Sequence, residues 1–167
     1  MKTHELAFLA LEQLGLFQSW RRTGSGLAPG EGAAFMVLET AATALSRGAK
    51  IHARIAGWNF RCQQVPALTS VLESVLTGLA PQPVGAVIAA ANSDPELDHA
   101  EAATLARLRI TAPLVLSPKQ QLGDLFAAAA PLQVALAALL AGRLGHRVLA
   151  NCFGHGTEQA AFLVEPP

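Results

Sequence analysis

Residues 116–131 read LSPKQQLGDLFAAAAP, and the fold turns on the apolar run that begins within this stretch, after its polar start. From Leu125 to Ala141 the only strongly polar side chain is Gln133. A membrane span needs about 20 consecutive apolar residues, whereas this run is shorter, is mostly weakly hydrophobic alanine and contains Pro131. A helix from about Asp124 to Ala141, buried inside a folded domain, is the better reading. An aspartate heading such a helix most often caps it or complements its dipole, which is the expected role of Asp124.

Downstream of that helix, HRVLANCF and EQAAFLVEP read as two strands separated by the tight GHGT, close enough to form a hairpin. Upstream, APLVLS is a short apolar run, ELDHAEAATLARL is helical, and VGAVIAAA from Val84 is a fully apolar run bounded by turn signals. Leu68, Val71, Leu72, Val75, Leu76 and Leu79 draw an apolar stripe, so a helix is expected over 66–79 with Pro66 at its start. KIHARIAGWNF sets Ile51, Ala53 and Ile55 against His52 and Arg54, the alternation of a strand with one wetter face. TAATALSRGA reads as a short helix with Thr40 or Thr43 as cap and Gly48 as stop, and AAFMVLE before it as a strand. Leu6, Leu9, Leu11, Leu14 and Phe17 predict an amphipathic helix over 4–20, followed by the loop RRTGSGLAPGEG. Strands alternating with helices imply an α/β layered domain with a largely parallel sheet, residues 1–29 being an N-terminal helix and linker and 30–167 the domain.

The 167 residues suit a single core. Equal numbers of basic and acidic residues, 12 of each, remove the electrostatic argument for nucleic acid or an anionic membrane surface, so neither is an expected partner. A composition 51% hydrophobic and 14% charged leaves little polar surface for a monomer, which points to a large buried interface. Cys62 and Cys152 are too few for a disulfide framework, and MKTHELAFLALEQLG lacks the basic start and long apolar core of a signal peptide. A cytoplasmic location is expected.

Four stretches, in order, resemble one known family. GEGAAFMVLETAATALSRGAKIHARIAGW (30–58), AAANSDPELDHAEAATL (89–105), LSPKQQLGDLFAAAAPLQVALAALLAG (116–142) and ANCFGHGTEQAAFLVE (150–165) are similar to the C-terminal part of the β-ketoacyl-acyl-carrier-protein synthases. The resemblance implies a thiolase-like, layered α-β-α fold, mainly its C-terminal half, with a mixed sheet. It also implies a mechanism to check residue by residue. Family members hold the growing acyl chain on a cysteine, use two histidines to decarboxylate the extender and stabilise the enolate, and form an oxyanion hole from backbone amides. The nucleophile belongs to the N-terminal half, upstream of Met1 in this numbering. The first histidine falls on Ala90 and the second on Asp124.

Alanine has no donor, and a carboxylate accepts hydrogen bonds and opposes a developing enolate charge, so no catalytic residue is assigned here. Lys119 matches the family lysine and is placed to pair with Asp124. With Asn92, Gly154, His155 and Gly156 these residues form the structural remnant of the site. His155 stands where the family has a phenylalanine that gates the acyl pocket, and Thr157 replaces a glycine. The resemblance then implies a non-catalytic subunit, analogous to a chain-length factor in fatty-acid or polyketide synthesis, that shapes the acyl tunnel of a partner ketosynthase. Phe126, Leu132, Phe153 and His155 are the candidate lining residues. A lone half would expose the apolar helix 125–141, so a ketosynthase partner or a homodimer is expected, with an acyl carrier protein as a further candidate partner. The alternatives are the C-terminal half of a split synthase, whose partner must supply both histidines, and a stand-alone acyl-binding module.

Cys152 and His155 invite a metal or nucleophile reading, but a zinc site wants three or four ligands and no other such group lies near in sequence. No metal and no cofactor is expected, and Cys152 is best read as a small buried side chain. His52, His99 and His146 are expected to be structural or surface groups. Arg21, Arg22, Arg47, Lys50, Arg54 and Arg61 concentrate positive charge early in the chain, either as a docking patch for an acidic carrier protein or as a solvated face. Trp20 and Trp58 flank this region as interface anchors or core residues.

Overall fold

The computed structural model describes residues 28–62, 68–79, 83–91, 94–154 and 158–167. The expected helix 4–20 lies outside them, as do Trp20, Arg21, Arg22, Asn92 and 155–157. The order of elements is α1 (Ala41–Ser46), β1 (Arg54–Cys62), α2 (Leu68–Thr77), β2 (Ala86–Ile88), α3 (Pro95–Arg107), β3 (Leu114–Leu116), α4 (Pro118–Leu122), a 3₁₀ turn (Phe126–Ala128), α5 (Ala129–Leu144), β4 (Val148–Cys152) and β5 (Glu158–Glu165).

Local chemistry sets these boundaries. The Thr40 hydroxyl accepts from the Thr43 N–H at 3.2 Å and so caps α1, while Gly48, at φ 68°, follows its end. Asp94 caps α3 by accepting from the Glu96 N–H at 2.8 Å, and Pro95 occupies the first helical position, where no N–H is needed. In α5, Pro131 falls within the first turn, so its missing N–H breaks no helical bond. Gly145 ends that helix in the left-handed region at φ 66°.

The strands form one sheet in the order β1-β5-β4-β2-β3. β2 pairs in parallel with β3 and β4, whereas β5 is antiparallel to both β4 and β1. The sheet is thus mixed, not largely parallel. The β4–β5 hairpin inserts an antiparallel pair, and β1 adds a second at the edge. Its register against β5 shifts between Ile55 and Gly57, a local irregularity that leaves Ala56 without a partner there.

Period-2 alternation divides the sheet residues between two cores. On one face Val87, Leu149, Phe153, Ala161 and Leu163 pack under α2 and α3, with Leu72, Val75, Leu76 and Leu97 above them. On the other, Ala86, Ile88, Val148, Ala150 and Val164 pack against Val134, Ala137 and Ala141 of α5. This is the layered α-β-α arrangement expected from the sequence. The segment Phe126–Leu144 is long and apolar enough to cross a membrane by length and composition, but here it lies along β4, β5 and β2.

One element differs. AAFMVLE forms no strand: residues 33–39 join no strand ladder among the described residues, and Phe35, Val37 and Leu38 are 94%, 80% and 68% exposed. Strand propensity needs a neighbouring strand to express it, and the sheet's edges are β1 and β3, neither of which takes up this segment. The expected strand over 50–60 likewise begins only at Arg54, where pairing with Glu165 starts.

Candidate functional site

In open α/β sheets ligands and reacting groups gather beyond the C-terminal ends of the parallel strands. Here those ends carry Ala89–Ala91 after β2, 117–126 after β3 and Phe153–Gly154 after β4. Buried polar side chains tie the three segments together.

Glu101 reaches from α3 and accepts from the Ala90 N–H and the Ala91 N–H, each at 3.0 Å, and from Asn151 Nδ2 at 2.7 Å. Its residue is 2% exposed. Burial pushes its carboxyl above the usual range, against the opposing pull of the Ala90 amide, the Asn151 amide and the Ala91 amide. From the other layer, Gln133 Nε2 donates to the Ala89 carbonyl at 3.0 Å. Gln133 Oε1 and Asn151 Oδ1 have no hydrogen-bond partner among the described residues.

Lys119 and Asp124 form the second cluster, with side chains 6% and 7% exposed. Lys119 Nζ lies 3.4 Å from Asp124 Oδ2 and donates to the Phe153 carbonyl at 2.9 Å. Asp124 Oδ1 accepts from the Phe126 N–H at 2.8 Å, a local turn before the 3₁₀ segment; the helix expected from about Asp124 starts only at Ala129, with Ala128 at its N-cap, so Asp124 does not cap it. Phe126 itself has φ 53°, costly for a side chain with a Cβ, and this hydrogen bond holds it there. The Asp124 main chain is also engaged: its N–H donates to the Ala28 carbonyl at 2.6 Å and its carbonyl accepts from the Gly30 N–H at 2.9 Å. Gly30 is required at this crossing, because a Cβ would stand 2.1 Å from the Leu122 carbonyl oxygen. Across β4, the Gln159 amide closes a two-bond ring with Gly154, accepting its N–H at 3.0 Å and donating to its carbonyl at 2.9 Å.

The sequence-derived candidates are therefore only partly brought together. Lys119 pairs with Asp124 and holds the carbonyl of Phe153, while Ala90 sits within the Glu101 cluster on a neighbouring strand end. Asn92, His155 and Gly156 lie outside the described residues. Of the lining candidates, Phe126 is 39% exposed, Leu132 is half-buried, and Phe153 is 2% exposed within the core under α2 and α3. A groove of about 810 Å³ lies elsewhere, between residues 35–39, 50–55 and the outer side of α5.

None of these groups is set up for acid–base or nucleophilic work. The Asp124 carboxylate is committed to Lys119 and the Phe126 amide, and the Glu101 carboxylate faces three donors. Burial pushes the Cys152 thiol up to about 12, with the nearby Lys119 pulling the other way, so Cys152 is a protonated, half-buried packing group near neutral pH. Among the described residues no three His, Cys, Asp or Glu side chains come together as a metal site. His52, His99 and His146 are not buried in the core, and Trp58 is 66% exposed, which removes a core role for that tryptophan. Sequence reasoning missed Glu101, Gln133 and Asn151. The signal was present for Glu101, which shares a helix face with Leu97, Ala100 and Thr104 and so had to be buried.

Residues 39–155 match the family model described as β-ketoacyl synthase, C-terminal domain. The chain is 40% identical over 126 residues to the granaticin polyketide β-ketoacyl synthase 2 of Streptomyces violaceoruber, covering 71% of this chain and 30% of that protein. It is 32% identical over 143 residues to a polyketide β-ketoacyl synthase 2 of Streptomyces coelicolor, covering 74% of this chain and 32% of that one. Among solved structures, the ishigamide ketosynthase/chain length factor superposes with a TM-score of 0.72 at 21% identity over 85% of this chain and 45% of that one. A β-ketoacyl synthase from Burkholderia phymatum gives the same TM-score, 0.72, at 18% identity over 100% and 52%. The chain thus spans about a third of the length of these sequence relatives.

Proposed function

Because the chain belongs to the β-ketoacyl synthase family, as its C-terminal domain, we propose that it is a non-catalytic, chain-length-factor-like subunit in polyketide or fatty-acid synthesis that shapes the acyl tunnel of a partner ketosynthase. One observation carries this reading. The positions on which the resemblance would place the family's histidines hold Ala90, which has no side-chain donor, and Asp124, which is bonded to Lys119 and to the Phe126 amide. A group that must stabilise a developing enolate needs a free donor, and neither position offers one. The scaffold around them is intact: the strand ends, the Glu101 clamp and the Gln159 ring hold the three loops in place.

The names of the sequence relatives support polyketide synthesis, and the solved ketosynthase/chain length factor supports a ketosynthase as partner. An acyl carrier protein is the further partner this reading implies. A split synthase is the weaker alternative, since its other half would have to supply the nucleophile and both histidines.

Reconstitution with a polyketide ketosynthase tests the reading. The chain alone should release no carbon dioxide from malonyl-carrier protein, and adding it should change the length distribution of the ketosynthase's products. Phe126→Ala and Leu132→Ala should lengthen those products. Decarboxylation by the chain alone, or product lengths indifferent to both substitutions, would overturn the proposal.

A further inference from the structure

Among the described residues Glu101 and Asp124 are the buried carboxylates, and their surroundings differ. Asp124 has Lys119 beside it, whereas no lysine or arginine among the described residues pairs with Glu101. An unpaired charge at that depth ordinarily takes up a proton. The contacts of Glu101 ask for the opposite. Oε1 accepts from the Ala90 N–H at 3.0 Å and from Asn151 Nδ2 at 2.7 Å, and Oε2 accepts from the Ala91 N–H at 3.0 Å, so every polar neighbour is a donor. A neutral acid in this place needs an acceptor for its own O–H. Asn151 Oδ1 is that acceptor: it is buried, has no hydrogen-bond partner among the described residues, and belongs to the amide whose nitrogen already touches Oε1. A half-turn of the amide exchanges its two ends, and it trades an unfilled acceptor for an unfilled donor without adding to the number of unpartnered groups.

We propose that Glu101 and Asn151 form a proton-operated latch on the chain that leaves β2. With Glu101 ionised the latch is closed, and the carboxylate holds both main-chain amides and Asn151 Nδ2. A proton drawn from solvent forms an O–H bond at Oε1, the Asn151 amide turns over, and the contact between the two side chains reverses, Oε1–H donating to Oδ1. The bonds from Ala90 and Ala91 then run to a neutral acid and lose the charge that strengthens them. Burial, the largest influence on Glu101, favours the protonated form, and so does the charge of Asp98 one turn earlier on α3. The other elements packed here supply no opposing cation. β2 presents main-chain amides, β4 carries Cys152, which stays protonated, and α2 carries Glu73, whose charge is held by Arg107. Lys119 is bonded to Asp124 and the Phe153 carbonyl, and Gln159 on β5 to Gly154. Ala90 is the position on which the resemblance would place the first histidine, so the latch acts on the candidate site itself. It does so whether or not the chain serves as a subunit.

Heteronuclear NMR of the whole chain tests the proposal, following the Glu101 carboxyl carbon, the Asn151 side-chain amide and the protection factors of the Ala90 and Ala91 amides as pH is lowered. The carboxyl should titrate with a midpoint above the ~4.3 of an ordinary glutamate. The Asn151 amide signals should move with the same midpoint, and protection at Ala90 and Ala91 should fall about fivefold through it, the difference between charge-assisted and neutral bonds. Protection at Val87 and Leu149, paired within the sheet, should not change. Glu101→Gln carries a fixed donor toward Asn151 and should show the low-pH signals at every pH; should that variant not fold, the wild-type titration decides alone. An Asn151 amide that stays still while the carboxyl titrates overturns the latch, as does a carboxyl that fails to titrate or does so at or below the ordinary value. Loss of protection across the whole sheet at the same midpoint would make Glu101 a support of the fold instead of a latch on one loop, which also overturns it.

Discussion

Breaking the Lys119–Asp124 pair by Asp124→Ala should be among the most damaging single changes in the chain. With side chains 6% and 7% exposed, neither charge can be handed to solvent when its partner is removed. Stranding one member of a buried pair costs roughly 3–5 kcal/mol. Asp124 also accepts from the Phe126 N–H, a hydrogen bond worth about 1 kcal/mol. Asp124→Asn separates the two effects, because its amide oxygen keeps the Phe126 bond while the charge is lost; it should be less damaging than the alanine by about that 1 kcal/mol. Lys119→Met strands the aspartate and should cost a similar ~3–5 kcal/mol. The double variant should cost about 2 kcal/mol less than the sum of the single changes, since no charge is then left buried alone. At about 3 °C per kcal/mol for a chain of this size, the combined loss of roughly 4–6 kcal/mol in Asp124→Ala should lower the melting temperature by roughly 12–18 °C. Denaturant titration of the four proteins of the cycle and of Asp124→Asn measures the free energies, and thermal melts the temperature shift. Strict additivity, or a loss below about 0.5 kcal/mol for either single variant, would refute the claim that the two side chains act as one buried unit.

Glu101 gives a pH signature. Its folded carboxyl titrates above the unfolded value, so the native state binds the extra proton and wild-type stability from this group is greatest below the unfolded range and falls as pH rises through the folded one. The stability advantage of wild type over Glu101→Gln should therefore shrink from pH 4 upward in urea melts; an advantage that grows with pH would contradict the burial argument. Iodoacetamide at pH 8 should alkylate exposed Cys62 and leave Cys152 unmodified in the native protein, read by peptide mass, and rapid labelling of Cys152 would show that its thiol is not held protonated as its burial requires.

The layers were legible from sequence because they rest on local chemistry. α3 announces itself through Asp94–Pro95 and a repeating apolar face, and β4 and β5 through short apolar runs flanking GHGT. Strand direction was not legible, since an apolar run such as AVI or LVL carries no mark of which way its neighbour runs. The fate of AAFMVLE was hidden for a related reason: propensity says that a segment favours a ladder but not whether a neighbouring strand stands beside it. At the site, the Lys119–Asp124 pairing could be anticipated from spacing, whereas the contacts of Gln133 with Ala89 and of Lys119 with the Phe153 carbonyl join residues 44 and 34 positions apart, beyond any local pattern. Phe153 shows the limit in reverse. Alternation along β4 places Leu149, Asn151 and Phe153 on one face, so its burial under α2 and α3 was readable in principle from period 2 alone.

Buried charges are a poor way to stabilise a fold. Replacing a buried ion pair with well-packed apolar residues is often neutral or stabilising, so Lys119, Asp124 and Glu101 are not explained by stability. In an active synthase such groups would be justified by chemistry, but Ala90 provides no donor for them to serve. What they do here is geometric. Glu101 fixes the two amides after β2, Lys119 fixes the carbonyl at the end of β4, and Asp124 fixes both the entry to α5 and the crossing strand at Gly30. These constraints specify where three loops and one unpaired segment stand relative to one another. Only the amide oxygens of Gln133 and Asn151 are left without a partner among the described residues. On the proposed reading, fixed loops of this kind would serve a surface presented to another chain.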